Sequence, residues 1–305
     1  MDEKVLLNHF KDRLQRDVLL SRFTTSRVGG PARYFISAES ASQLAEDVGF
    51  LWEHNIPLLV LGSGANLLIS DAGLDAVVVH NQAKLITVDL EGETPTITAE
   101  SGAILTSVAR KAAEHGLSGL EWASTVPGTV GGAVYGNAGA FGSNTHASLV
   151  LVEILHRTKG YLSLTSKEMG YAYRSSALKR QPGEAVILRT IFVVKPGDPA
   201  LIESTMREFN EHRRASQPTG PSTGSTFKNP PGDFAGRLIE AAGLKGTRIG
   251  GVAISELHGN FFINDGTATA QDYYDLIQLV KKTVFEQFSV SLETEIEIIG
   301  DWPSK

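Results

Sequence analysis

The chain has 305 residues, too many for one small core and enough for two or three lobes of the usual roughly 50–250 residues. Hydrophobic residues at 42% and charged residues at 20% describe a globular chain and not a disordered one. A formal net charge of -6 disfavours nucleic acid as a partner, and the absence of cysteine excludes disulfides, thiolate metal sites and cysteine nucleophiles.

In chain order, residues 2–20 read as an amphipathic helix, with Leu6, Phe10, Leu14 and Val18 spaced by four. Residues 24–36 read as extended around the turn Gly29-Gly30-Pro31. A second helix is expected to start near Ser40, whose Gln43 three residues on fits a capping box. Residues 56–61, 67–69 and 76–79 carry buried-strand patterns, and 85–100 alternates apolar with polar. Ile104, Val108 and Ala112 mark a helix ending near Gly116. Strands follow at 149–156 and 186–194, helices at 200–214, 233–243 and 268–288, and a last strand at 293–299. Pro196-Gly197-Asp198-Pro199 is the clearest linker, and a domain boundary is expected there. The eight histidines are scattered without HxH or HExxH spacing, so no metal site is expected. The start MDEKVLLNHF has no basic-then-apolar signal pattern, and no apolar run approaches the ~20 residues of a membrane helix. A cytoplasmic location is expected, with no membrane partner.

Glycine is the unusual count, at 31 residues or about 10% against a usual ~7%, and the excess is clustered. Gly62-Ser63-Gly64-Ala65-Asn66-Leu67 starts like a dinucleotide fingerprint, but Leu67 stands where the third glycine belongs. A strand pattern follows it, whereas a Rossmann loop opens a helix. Taken alone, the loop is equally well a tight turn needing positive φ. The stretch 122–142 carries six glycines among small residues and has no P-loop Lys-Ser/Thr. Its backbone could approach a ligand closely, and successive amides could form an anion-binding concavity. The competing reading is a close-packed turn or helix crossing. Two such loops together favour a large ligand with a pyrophosphate.

Six ordered stretches carry a family resemblance: residues 24–32, 61–68, 127–133 with 137–140, 171–176, 224–230 and 292–296. Between about Thr24 and Gly300 the chain resembles UDP-N-acetylenolpyruvoylglucosamine reductase, a flavoenzyme family of bacterial cell-wall (peptidoglycan) synthesis. The resemblance implies an α+β fold: a two-subdomain FAD-binding fold of the vanillyl-alcohol-oxidase type plus an α+β substrate-binding domain. We expect FAD-binding lobes at 1–82 and 83–197 (the latter joined by 289–305) and a substrate lobe at 198–288. It implies non-covalent FAD, NADPH as hydride donor and UDP-N-acetylglucosamine enolpyruvate as substrate. The hydride would pass from the flavin N5 to the enolpyruvyl methylene, and a proton to the adjacent carbon. The implied flavin contacts are Arg27, Gly62, Ser63, Gly64, Ala65, Asn66, Leu67, Pro127, Gly128, Val130, Gly131, Gly132, Asn137, Ala138 and Gly139.

Arg174, in Tyr171-Ala172-Tyr173-Arg174, suits a substrate carboxylate because a guanidinium pairs with it bidentately. On sequence alone a surface arginine is the commoner reading, and the resemblance reverses it. Ser225 is the implied proton donor; otherwise it reads as a turn serine, and no hydrolase Gly-x-Ser-x-Gly surrounds it. Glu293, Glu295 and Glu297 alternate, so on a strand they share a face. The resemblance selects Glu295. Between 205 and 250, seven basic residues face four acidic ones, which fits a UDP diphosphate. Tyr173, Lys228, Asn229 and Arg237 are the expected substrate contacts. Some members carry an extra tyrosine loop that caps the substrate, but only about a dozen residues separate Arg174 from strand 186–194, so this chain is of the shorter type. A monomer is expected. The alternatives are another FAD-dependent dehydrogenase on the same fold, or a non-catalytic binder of flavin or nucleotide sugar.

Overall fold

The computed structural model describes residues 3–302. Residues 1–2 and 303–305 of the expected lobes lie outside the described residues. The chain divides into two compact units. The first runs up to Leu14 and includes Phe35–Gly62 and Ala76–Arg213. The second takes Gln15–Tyr34, Ser63–Asp75 and the chain from Arg214 onward.

The first unit is built on a five-stranded antiparallel sheet. Its order is Gly160–Thr165, Leu149–His156, Ala185–Val193, Thr96–Glu100 and Ile86–Asp89. Ile97, Ala99, Val152, Ile154 and Phe192 put one face into a core with Leu105, Val108 and Ala112 of helix Leu105–Glu114. Each isoleucine, valine, leucine or phenylalanine among them contributes roughly 1.5–3 kcal/mol on burial. Strand Gly160–Thr165 was not expected; it is half-exposed throughout, so its apolar signal is weak. Helix Ala41–Glu53 starts as expected, with Ser40 Oγ accepting from the Gln43 amide at 3.2 Å. The return bond differs: Gln43 Oε1 accepts from Glu39, one residue before the cap, at 2.7 Å. Strands Leu58–Leu61 and Leu74–Asn81 pair in parallel, Leu58 opposite Val77.

One expectation is corrected by the packing. The N-terminal helix stops at Phe10, and residues 15–19 form strand Gln15–Leu19. Lys11 and Asp17 adopt φ of 51° and 52°, which a continuous right-handed α-helix does not accommodate. Leu6 and Phe10 are buried, but Leu14 and Val18 are only half-buried, so the four-residue spacing continues without a shared core face. A domain boundary was expected at 196–199; the first compact unit runs on to Arg213. Helix Pro199–Ser216 is tied to the first unit by buried Ile202, by Phe209 stacked on Phe141 at 4.1 Å, and by Arg213 donating to the Thr125 carbonyl.

In the second unit, strands Arg248–Ile249, Val252–Ile254 and Phe262–Asn264 form an antiparallel sheet. Helices Ala235–Ala241 and Ala270–Phe288 supply Leu238, Ile239, Tyr273, Leu276, Ile277 and Val280 to a core that also contains Val28 and Leu68. The last strand is shorter than expected, Glu297–Ile299, and pairs in parallel with Leu67–Ile69. Residues 289–305 were expected with the second FAD lobe; the described part lies in this unit.

Asp71 holds the early segment to the late one. Its carboxylate oxygens accept the amides of Ala270 and Gln271, each at 2.9 Å. These are two of the four unpaired amides that open helix Ala270–Phe288. Thr269 and Asp272 form a capping box beside them. Asp71→Ala is expected to destabilise the protein by about 1–2 kcal/mol, read as a lower urea midpoint at unchanged slope.

Candidate functional site

In the first unit the two glycine stretches touch. A Cβ on Gly62 would sit 2.5 Å from Thr129 Oγ1 and 3.0 Å from its Cγ2, so only glycine fits there. Thr129 caps a short helix, Val130–Gly136, that the sequence reading did not foresee. The amides of Val130 and Gly131 donate to the carbonyls of Ala103 and Ser101, both at 2.8 Å. The Gly132 amide turns to Thr129 Oγ1 at 3.4 Å. The anion concavity expected from successive amides of this segment is therefore not formed by 130–132. Pro127 and Gly128 precede it, and Gly128 takes φ 117°. Just before them, Ser124 Oγ and Thr125 Oγ1 are buried without a hydrogen-bond partner among the described residues.

Asn137 ends that helix in the left-handed region at φ 49°. Its Nδ2 donates to the Ala172 carbonyl at 3.0 Å, and its Oδ1 accepts from the His146 amide at 3.1 Å. Ser176 Oγ donates to the Tyr135 carbonyl at 2.7 Å. Together they clamp the turn 172–175, closed by paired bonds between Ala172 and Ser175 at 3.0 and 3.1 Å. Arg174 sits in this turn at φ 53° and donates to the Gly139 carbonyl at 3.3 Å. Its guanidinium carbon lies 5.5 Å from the centre of the exposed Tyr173 ring. Ala138 is held by its amide bond to Ala133 at 2.9 Å.

In the second unit, Gly64 has φ 59°, and a Cβ there would fall 2.1 Å from the Phe23 carbonyl oxygen. The Gly64 carbonyl accepts from Thr25 at 3.3 Å, and the Thr25 carbonyl from Ser222 at 3.1 Å. Arg27, exposed and at φ 58°, belongs to the same segment. Asn66 Nδ2 donates to the Glu295 carbonyl at 3.0 Å, and its own carbonyl accepts from Glu297 at 2.9 Å. Among the described residues of this unit, the amides of Ser63, Gly64, Ala65 and Asn66 find no acceptor. Leu67 continues as strand Leu67–Ile69.

The segment 225–228 runs between two others. Ser225 bridges Phe261, the Thr226 carbonyl accepts from the Glu295 amide at 2.9 Å, and Phe227 bridges Thr294. Ser225 and Glu295 are thus brought to neighbouring segments. Ser225, Asn229 and Arg237 line one cavity of about 390 Å³ with Phe234, Glu240, Leu257, His258 and Asn260. The sequence reading missed Phe234, Leu257 and His258, which carry no motif of their own. Lys228 and Glu295 do not line the cavity. Lys228 pairs with Glu293 at 3.1 Å. Asn229 Oδ1 accepts from the Ala235 amide at 3.1 Å, helping to start helix Ala235–Ala241. Arg237 forks onto Asp233, with Nε to Oδ1 at 2.6 Å, and this hydrogen bonding holds the Asp233 carboxyl down to about 2.

Each unit by itself offers unused donors: the amides of 63–66 in one, the Ser124 and Thr125 hydroxyls in the other. Donors of this kind fit a ligand rich in phosphate and carbonyl oxygens. Among the described residues no cluster of three or more His, Asp or Glu could hold a metal ion. No described helix is long and apolar enough to cross a membrane.

The FAD binding domain family matches residues 32–162, and the C-terminal domain of UDP-N-acetylenolpyruvoylglucosamine reductase matches 216–299. The UDP-N-acetylenolpyruvoylglucosamine reductase of Rubrobacter xylanophilus is 43% identical over 285 residues, 93% of this chain and 95% of that one. That of Lactobacillus johnsonii is 43% identical over 288 residues, 94% and 95% of the two chains. The crystal structure of UDP-N-acetylenolpyruvylglucosamine reductase from Thermus caldophilus is 36% identical and superposes with a TM-score of 0.80, covering 95% of this chain and 99% of that one. The α+β FAD-binding fold expected from the sequence is borne out. The chain belongs to the UDP-N-acetylenolpyruvoylglucosamine reductase family.

Proposed function

We propose that this protein reduces the enolpyruvyl group of UDP-N-acetylglucosamine enolpyruvate to give UDP-N-acetylmuramate for peptidoglycan, in the cytoplasm and as a monomer. One observation carries the reading: Ser225, Asn229 and Arg237 line a single cavity, and the residue after Ser225 is bonded to Glu295. Neither alternative, a simple dehydrogenase or a passive binder, requires that convergence.

FAD would be held by Arg27, Gly62, the backbone of 63–67, Pro127, Gly128, Val130–Gly132 and Asn137–Gly139, with the amides of 63–66 as the unused donors. When bound, it supplies two-electron transfer from NADPH to the substrate double bond. The remaining work falls to side chains. Ser225 gives a proton to the carbon beside the substrate carboxylate. A serine hydroxyl is a weak acid, but an enolate-like carbon is a strong base, and a fixed position supplies much of the rate. Arg174 takes the carboxylate as its charge grows. Its rigid left-handed turn limits the motion lost on binding. Glu295 polarises the enolate-like species from the segment beside Ser225, and Tyr173 packs against the Arg174 cation.

Lys228 and Arg237 are the substrate's diphosphate partners, with Asn229 beside them. Both cations are already paired with carboxylates. Exposed pairs of this type are worth only about 0–1 kcal/mol, so exchanging a carboxylate for a phosphate is cheap. Because Asp233 stays ionised down to about pH 2, it competes for Arg237 at every working pH.

The direct test is an anaerobic visible spectrum. The yellow protein should bleach with NADPH and recover its colour with UDP-N-acetylglucosamine enolpyruvate. Bleaching without recovery would leave a flavoprotein with another substrate; no flavin uptake would remove the reading altogether. Ser225→Ala should bleach at close to the native rate but recover about 10²–10⁴-fold more slowly. Asp233→Asn should lower KM for the sugar nucleotide by about two- to fivefold at unchanged kcat, seen in steady-state kinetics at low salt.

A further inference from the structure

Ser225 sits on a backbone segment that no regular strand supports. Residues 293–295 hold it on one side, and on the other a turn, His258-Gly259-Asn260, at the wall of the same cavity. Asn260 is 4% exposed, and its polar groups serve the segment after Ser225. Its carbonyl accepts from the Thr226 amide at 2.9 Å. Its side chain imitates a strand partner for Phe227: Oδ1 accepts from the Phe227 amide at 2.9 Å, and Nδ2 donates to the Phe227 carbonyl at 2.8 Å. The remaining group, the Asn260 amide, donates to His258 Nδ1 at 3.2 Å. His258 is held in turn by its amide bond to Ser255 Oγ at 3.3 Å and by its ring edge against Phe261, 4.9 Å between centroids.

We infer that His258 and Asn260 are positioning residues for Ser225, forming a relay in which the imidazole Nδ1 orients Asn260 and Asn260 fixes the backbone that carries the Ser225 hydroxyl. The inference rests on the reading of Ser225 as proton donor. An Nδ1 that accepts from an amide carries no proton, so the neutral ring keeps its proton on Nε2. Protonating the ring puts an N–H where the Asn260 amide points, and the relay loses its anchor.

The surroundings favour the neutral form. Burial lowers the His258 pKa from its ordinary 6.5. A hydrogen bond with its own backbone opposes this without reversing it; Lys245 lowers it further and Glu240 raises it, but those two are paired with each other at 2.9 Å. On the cavity wall Arg237 is likewise matched by Asp233. The group binds fewer protons folded than unfolded. Its contribution is therefore complete above pH 6.5 and is lost as pH falls through the lowered folded value.

The experiment uses the FAD-loaded full-length enzyme, the native protein beside His258→Asn, Asn260→Asp and Ser225→Ala. Asparagine at 258 keeps an acceptor near the Nδ1 position but does not titrate. Two readouts are taken: turnover against pH, and hydrogen exchange of the Thr226 and Phe227 amides relative to intrinsic rates. The native enzyme should lose turnover and amide protection together as pH falls through the lowered His258 value, by about tenfold, and His258→Asn should not show this shared loss. Asn260→Asp sets an oxygen against the Phe227 carbonyl. It should lower kcat about tenfold or more with KM within about threefold, and speed exchange at all pH values. An acid limb and exchange rates identical in native enzyme and His258→Asn would overturn the relay. Exchange that responds as expected, with Ser225→Ala still turning over fast, would uphold the positioning of the segment and overturn the proton-donor reading instead.

Discussion

A buried peptide group without a partner costs about 1–3 kcal/mol, and this chain carries its candidate chemistry on irregular backbone that has few regular partners. Buried asparagines meet that demand again and again. Asn81 bonds Ser101 and the Ala83 amide beside the turn that receives Gly131. Asn137 joins Ala172 to His146 and so sets the Arg174 turn. Asn264 donates to Ser26 and accepts from Gly266 and Ala268. Asn260 does the same for the Ser225 segment. A primary amide carries its donor and its acceptor on separate atoms spaced like those of a peptide, so it can replace a missing strand on either side of a peptide.

The same logic explains how the positive charge of the second unit is managed. Counted along the chain, residues 205–250 hold an excess of cations. In the fold, Lys228 meets Glu293 and Arg248 meets Asp265, partners outside that window. Lys245 meets Glu240 and Arg237 meets Asp233 inside it. The region is better described as a set of exchangeable ion pairs than as a bare positive field. An anionic ligand would displace weak surface partners without stranding a cation.

Much of the architecture was legible. Strand Leu149–His156 and the helices near 105–114 and 270–288 follow directly from periodicity, because each has one continuous buried face. The glycine loops were legible as places of close approach, and Gly62 against Thr129 bears that out. Their amides were not, since only tertiary contact with Ser101 and Ala103 decides which ones remain unused. The end of the first helix at Phe10 was hidden because apolar spacing does not reveal whether successive residues meet the same core. The extent of the first unit, past the Pro-Gly linker to Arg213, depends on the stack of Phe209 on Phe141, residues far apart in sequence. His258 and Asn260 were invisible for a related reason: their importance lies in backbone partners, which no motif encodes.

The parallel pairing of Leu67–Ile69 with Glu297–Ile299 has a bearing on synthesis. The Asn66 amide that stitches this junction finds its partner 229 positions later. At about 5–20 residues per second, that early strand emerges roughly 10–45 s before its mate is made. Throughout that interval an apolar Leu-Leu-Ile segment has an open edge, the geometry that invites pairing with a neighbouring nascent chain. That exposure belongs to synthesis, and a chaperone that shields residues 67–69 during it would protect yield without touching the finished enzyme.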